Sequence, residues 1–349
     1  MLTGAIAFTV ALLASLSLSV PVRQLALRVG MVDHPGPRKV HLTPIPLLGG
    51  LAIYCGVVLA ILVTTDSQAR AQIIGVLAGA TLVALVGILD DRGLLHHQVK
   101  LFVGMPLAAL ILLASGIHAQ LFSAALAGKP GYLADAGLTV LWVVGITASF
   151  SILDHMDGLC AGVAAMASVF FAIFASLSGQ LLVSTLAAAV LGAAVGFLRW
   201  NFNPAKIFMG DGGAMFLGFF MATLALKLRP AGLPQATAWI VPVLILGVPI
   251  FDTTLVSISR SRRGLLPFAT PGKDHTAHRL ANVGLGQRRA VLAMYALGAA
   301  SGVLALAVSR LSVRHGFALA AATVAVALVA VALLERTPFE RPQALKKTE

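Results

Sequence analysis

Carboxylates recur in this chain at short breaks between apolar runs, and their types and spacing suit them to chemistry. Asp90 and Asp91 are adjacent, and Asp154 and Asp157 stand three apart. Asp211 is bracketed by glycines in Met209-Gly210-Asp211-Gly212-Gly213, while Asp274 opens the segment Asp274-His275-Thr276-Ala277-His278-Arg279. A carboxylate beside hydrocarbon is costly, so it marks a functional site by default. Adjacent acids repel unless a cation or proton lies between them, which suits Asp90-Asp91 to divalent-metal binding or proton abstraction, with a solvated helix end as the plain alternative. On a helical turn Asp154 and Asp157 aim at one side. Asp211 supplies the hard oxygen that Mg2+ takes together with substrate phosphates, and the amides freed by its glycines can meet phosphate, although a helix cap explains it too.

Cations accompany these acids. Arg38, Lys39 and His41 edge a loop stiffened by four prolines, and Lys100 follows Asp90-Asp91 by two to three turns, where it can neutralise a phosphate or snorkel. His275 and His278 have a spacing compatible with zinc, yet no thiolate partners them and Arg262, Arg263 and Lys273 crowd the same loop, which favours an anion site. Cys55 and Cys160 have no metal-ligand spacing and read as buried thiols.

The elements that must position these groups are apolar helices. With 58% apolar residues, 11% charged and a mean hydropathy of +0.94, the 349 residues describe a polytopic membrane protein, all-α in fold class. A hydrocarbon core takes about 20 apolar residues per helix, and eleven spans are expected: about 3–27, 47–64, 72–89, 100–115, 138–153, 159–177, 181–198, 212–228, 236–256, 288–308 and 315–334. Nineteen of the 25 lysines and arginines fall on the face reached after the first span, which places the N-terminus outside and the C-terminus in the cytoplasm. The first span is too long for a secretory signal, so it reads as a retained helix with no targeting peptide. Topology and anionic headgroups account for the net charge of +12 without nucleic acid. One transmembrane catalytic domain is expected over 1–334, with cytoplasmic loops at about 28–46, 90–99, 154–158, 199–211 and 257–287, and a cytoplasmic tail at 335–349. All five motif-bearing breaks fall on this one face, whereas the outside loops hold only Asp66 and Asp135. An ion-coupled transporter is the competing class, but it favours carboxylates near the midplane and inverted repeats, and here the acids cluster at helix ends.

Taken in order, the DDRG, LDHMDGL, NPAKIFMGDGG and DHTAHR segments resemble those of the polyprenyl-phosphate N-acetylhexosamine-1-phosphate transferases, over about Asp33 to Arg279. The resemblance implies transfer of a sugar-1-phosphate from a UDP-sugar to undecaprenyl phosphate, with release of UMP. It also implies a requirement for Mg2+, with Mn2+ as a substitute, and a site on the cytoplasmic side of a bacterial inner membrane, where a cell-envelope glycan begins. Partners are then the UDP-sugar, the polyprenyl phosphate and the bilayer, and a homodimer is compatible with this. By position, Asp211 would be the metal ligand, Asp90 and Asp91 would bind or deprotonate the acceptor, and Asp154 and Asp157 match the pair in the family's DGxDGL segment. Asn201 and Lys206 would border the nucleotide, and His275 and His278 would meet phosphates. Departures occur at Ala148 and Ser151, where asparagines are usual, at Ala214 for serine and at Gly104 for glutamine.

Overall fold

Inside a bilayer no water satisfies backbone N–H and C=O groups, so apolar runs must close their hydrogen bonds internally as helices. The computed structural model describes residues 2–35, 43–64, 70–123, 126, 128–266 and 272–337, and each of the eleven apolar runs lies on helical segments. In chain order these are α1 (Leu2–Arg28), α2 (Gly50–Thr64), α3 (Arg70–Asp91), α4 (His97–Val99), a π-helical turn (Lys100–Gly104) and α5 (Met105–Ala114). After them come α6 (Lys129–Leu153), α7 (Leu159–Leu177), α8 (Leu181–Asn201), α9 (Gly210–Lys227), α10 (Gln235–Ala238), α11 (Ile240–Ile245) and α12 (Gly247–Arg262). The chain closes with α13 (Thr276–Leu280), a second π turn (Ala281–Leu285), α14 (Gly286–Val308) and α15 (Val313–Leu334). Among the described residues, seven helical segments are long and apolar enough to cross a membrane: α1, α3, α6, α7, α8, the Thr276–Val308 segment and α15.

Three boundaries differ from the expected spans. The helix expected from about 138 starts at Lys129, because Pro130 is tolerated in a first turn where no N–H partner is needed. Asp135 therefore lies inside α6 and not in an outside loop; it is buried and accepts the amides of Leu121, Phe122 and Ser123 at 2.8–3.0 Å. The run at 236–256 is divided into α10, α11 and α12. A proline ring clashes with the carbonyl four residues back, and α10 and α11 end at Ala238 and Ile245, four before Pro242 and Pro249. Finally, α12 continues to Arg262 and α13 begins at Thr276, so the basic loop expected over 257–287 shrinks to 263–275.

At the centre of the bundle is α9. Every residue from Gly212 to Leu226 is buried, with Phe216, Phe219 and Phe220 fully enclosed. A helix apolar all round must be surrounded, and α3, α6, α2, α7 and α8 surround this one. Glycines permit the closest approaches: a Cβ on Gly87 of α3 would lie 2.5 Å from the backbone of Asp211 and Gly212, and one on Gly196 of α8 would lie 2.5 Å from the Leu12 carbonyl of α1. By contrast, most of α15 is exposed, and only Gly316 and Val331 are buried. A two-residue antiparallel ribbon, β1 (Val32–Asp33) with β2 (Ile45–Pro46), brings the first loop back to the bundle. There Gly49 and Gly50 donate to the Phe208 and Met209 carbonyls at 2.8 Å, stitching the entrance of α2 beside the start of α9.

Gly87→Val is expected to separate α3 from α9 and to lower thermal stability of the detergent-solubilised protein by about 1–3 kcal/mol, the usual cost of overpacking. An unfolding transition unchanged by this substitution would contradict the packing described.

Candidate active site

Because α9 is central, its first turn is held at a fixed place on the boundary, and Asp211 is in that turn. Gly210 supplies the left-handed φ of 73° that turns the chain into the helix, and a Cβ there would lie 2.5 Å from Asp91 Oδ2. The first amides of a helix have no partner within it. Asp91, at the end of α3, accepts two of them, Asp211 N–H at 2.9 Å and Gly212 N–H at 3.2 Å. Its neighbour points elsewhere: Asp90 Oδ2 accepts the Lys100 ammonium at 2.7 Å, and the same ammonium donates to Asp211 Oδ2. Lys100 reaches both acids from the start of the π turn, whose extra residue per turn re-aims side chains and which is frequent at functional sites. Ser151, at a position where asparagine was expected, donates to Asp211 Oδ1 at 2.6 Å. Beside Asp91 and Arg92 opens a cavity of about 400 Å3, otherwise lined by apolar residues such as Met31, Leu47 and Leu94.

The break between α6 and α7 carries the second pair of acids. Asp157 Oδ2 accepts Asn203 Nδ2 at 2.9 Å and the Ala205 amide at 3.0 Å, so it fastens this turn to the segment leading into α9. Asn201 reinforces the same seam, accepting the Gly158 amide at 3.0 Å and donating to the Ile207 carbonyl at 3.0 Å. Tyr295 adds a bond to the Gly158 carbonyl at 2.6 Å. Asp154 makes no hydrogen bond among the described residues. Burial, and then the charges of Asp211, Asp91 and Asp157, push its carboxyl up to about 8, so it holds a proton at neutral pH while no cation offsets those charges.

On the other side of that turn is a histidine cluster. Asp252 of α12, which sequence reasoning passed over as part of an apolar span, bonds His275 Nδ1 at 2.8 Å and the Thr276 amide at 2.7 Å. The His155 ring stacks on His275 with centroids 3.8 Å apart and lies 4.6 Å from His278. Burial first, then His275 and His278, hold the His155 imidazole well below its ordinary pKa, so it is neutral.

Not all of the expected ligand-binding residues point to one place. Asp90, Asp91, Lys100, Asp154 and Asp211 converge, and Asp157 and Asn201 brace them. Lys206, expected to border the nucleotide, is exposed, its ammonium 5.5 Å from the Trp200 ring centroid. Arg263 is engaged with Asp274 and Ser259, and Arg262 is largely exposed, 3.9 Å from Glu335. Asp274 itself is enclosed by Arg260, which bonds both its oxygens at 2.9 and 3.1 Å, and by Arg263. The start of the expected tail is also bound in: Glu335 Oε1 accepts Arg279 at 2.7 Å. Arg38, Lys39 and His41 lie outside the described residues.

Residues 73–229 match the model of a family described as Glycosyl transferase family 4. Over 299 residues the chain is 38% identical to a probable undecaprenyl-phosphate N-acetylglucosaminyl 1-phosphate transferase of Bacillus subtilis (strain 168), covering 84% of this chain and 81% of that protein. The chain belongs to glycosyl transferase family 4. Among its relatives are a decaprenyl-phosphate N-acetylglucosaminephosphotransferase of Mycobacterium tuberculosis (strain ATCC 25618 / H37Rv), 31% identical over 81% of this chain and 78% of the relative. An undecaprenyl-phosphate alpha-N-acetylglucosaminyl 1-phosphate transferase of Escherichia coli (strain K12) is 26% identical over 81% of this chain and 78% of the relative. Within family 4 the chain is a phosphoglycosyltransferase. The family match spans Asp90, Lys100, Asp154, His155 and Asp211 and ends before Asp252, His275 and His278.

Two outcomes follow from this geometry. Asp91→Ala removes the acceptor for two helix-initiating amides and should cost about 1–2 kcal/mol in an unfolding measurement, more than Asp90→Ala, which leaves those amides bonded. Asp274 responds to pH. Burial raises its pKa, but Arg260 and Arg263 outweigh that and hold the carboxyl down at about 2, against 3.8 for the free group. Since the folded value is the lower one, its contribution of about 2 kcal/mol is complete above pH 4 and lost as pH falls toward 2. Acid titration of stability should therefore be flatter in Asp274→Asn than in the unmodified protein.

Proposed function

We propose that this family 4 enzyme transfers N-acetylhexosamine-1-phosphate from a UDP-sugar to undecaprenyl phosphate and releases UMP, as the first membrane step of a cell-envelope glycan. The observation that carries the reading is the convergence of Asp90, Asp211 and Lys100 at the end of a buried helix, with Asp154 beside them. Such a site at the ends of membrane-length helices suits a reaction between a lipid-anchored phosphate and a soluble nucleotide. The names of the relatives, each a polyprenyl-phosphate N-acetylglucosamine-phosphate transferase, support the substrate class.

Asp90 and Asp211 share one ammonium, and Asp154 stands near them without a hydrogen-bond donor. All three offer hard oxygens, a donor set that fits Mg2+ and also admits Mn2+. Asp211 and Asp90 would hold the ion, with Asp154 as a further oxygen. When bound, it would offset charge on the pyrophosphate as the bond from the sugar-bearing phosphorus to the bridging oxygen is broken. The chain's own groups orient the rest. Ser151 fixes one oxygen of Asp211, Asp91 fixes the helix that carries it, and Lys100 can turn from the acids toward a phosphate. An oxygen of the acceptor phosphate attacks the sugar-bearing phosphorus, and the oxygen bridging to the uridine-bearing phosphorus departs with UMP. That acceptor oxygen is already anionic near neutral pH, so Asp90 serves by positioning and need not take a proton. The cavity of about 400 Å3 beside Asp91 and Arg92 offers room for the acceptor headgroup. In this reading eleven segments cross a bacterial inner membrane, with the N-terminus outside and the site and C-terminus in the cytoplasm.

The test is UMP release from UDP-N-acetylglucosamine by purified protein supplied with undecaprenyl phosphate and Mg2+. Asp211→Asn and Asp90→Asn should each lower kcat by about a hundredfold or more while the protein remains folded. If no UDP-sugar in a panel gives cation-dependent UMP release, the proposal fails.

A further inference from the structure

His275 has no thiolate partner in its own loop, but the fold brings two other donors to it. His155 arrives from the turn between α6 and α7, and Asp252 from α12, and the three residues offer one ligand atom each within 4.8 Å of one another. Asp252 Oδ2 lies 2.8 Å from His275 Nδ1 and 4.0 Å from His155 Nε2. Its other oxygen is fixed by the Thr276 amide, an outer bond of the kind that orients a metal-ligating carboxylate. Both nitrogens of His155 are buried without a hydrogen-bond partner. A ring packed against two other imidazoles with neither nitrogen used is poorly explained as scaffolding, since a buried polar atom ordinarily finds a partner. No arginine or lysine bonds Asp252 among the described residues.

We propose that His155, Asp252 and His275 form a second cation site, for a borderline divalent transition ion such as Zn2+, separate from the oxygen site at Asp211. Two imidazoles and one carboxylate are a donor set that selects such ions over Mg2+. Bonds to Zn2+ of about 2.0–2.2 Å set ligand atoms about 3.3 Å apart, so the ion requires His155 to close by less than an ångström toward Asp252, the His275–Asp252 pair to open slightly, and the His155 ring to turn out of its stack on His275. The ion displaces the proton shared by His275 Nδ1 and Asp252, and His155 has no bond to give up. Three protein ligands leave a coordination position open, and His278 borders it. The site would take a phosphate oxygen or water there. This inference does not depend on the transferase reading, because it concerns metal binding alone.

The experiment uses the full chain, without an added histidine tag, stripped with chelator in detergent and then equilibrated with Zn2+ or Co2+. Elemental analysis after desalting should give about one ion per chain, and Co2+ should produce visible d–d bands of a low-coordinate site. His155→Gly and Asp252→Asn should each weaken binding by about tenfold or more. Asp211→Asn should retain it. Folding of each variant is checked by its elution profile and thermal transition. Should a substitution unfold the chain, the Co2+ spectrum of the unmodified protein decides alone. Absence of retained Zn2+ and of Co2+ bands in the unmodified protein overturns the proposal, as does unchanged affinity in a folded His155→Gly. Loss of UMP release with metal retention intact would count against the transferase reading and leave this site standing.

Discussion

The start of α9 is the constraint on which the rest of this structure depends. A helix that is apolar on every side has to be central, and its first amides then emerge at the boundary with no turn before them to accept their hydrogens. Asp91 meets two of those amides from the end of α3. The helix dipole favours a negative group at that place. One carboxylate thus does structural duty and frees its neighbours for chemistry. The close passage of Gly87 against Asp211 and Gly212 keeps α3 near enough for this bond.

With the axis fixed, the remaining charges fall into an order set by electrostatics. Asp90 and Asp211 stand close together and would repel, and Lys100 lies between them. Asp154 receives no such cation, so it keeps its proton. This combination leaves a cluster rich in carboxylate oxygen, with most of the structural demands met by other groups. Asp157, Asn201, Asn203 and Tyr295 hold the turn at 154–158 against the segment entering α9. Displacement of that turn would move Asp154 and His155 together, although they face different clusters.

The basic segment from α12 to α13 is built inward. Arg260 of α12 and Arg263 surround Asp274, and Arg279 of α13 reaches Ser259, the Asp274 carbonyl and the end of α15, where it bonds the Leu334 carbonyl and Glu335. A guanidinium at the end of a helix meets carbonyls that have no partner within it. The mostly exposed α15 is therefore held at its final turn by α13, which also carries His278.

Much of this was legible in the order of residues. Eleven apolar runs became helical segments because a bilayer leaves the backbone no other closure, and the acids at Asp90, Asp154 and Asp211 announced themselves by their cost beside hydrocarbon. The prolines at 242 and 249 also specified where one run would break, although periodicity alone read it as continuous. Only the tertiary structure distinguished Asp91 from Asp90, placed Ser151 on Asp211, turned Arg263 and Asn201 into braces and brought Asp252 to His275 and His155. Those assignments depend on pairs far apart in the chain. Composition and local spacing set which groups can be charged and where helices run, whereas the facing of one helix on another decides which of those groups meet.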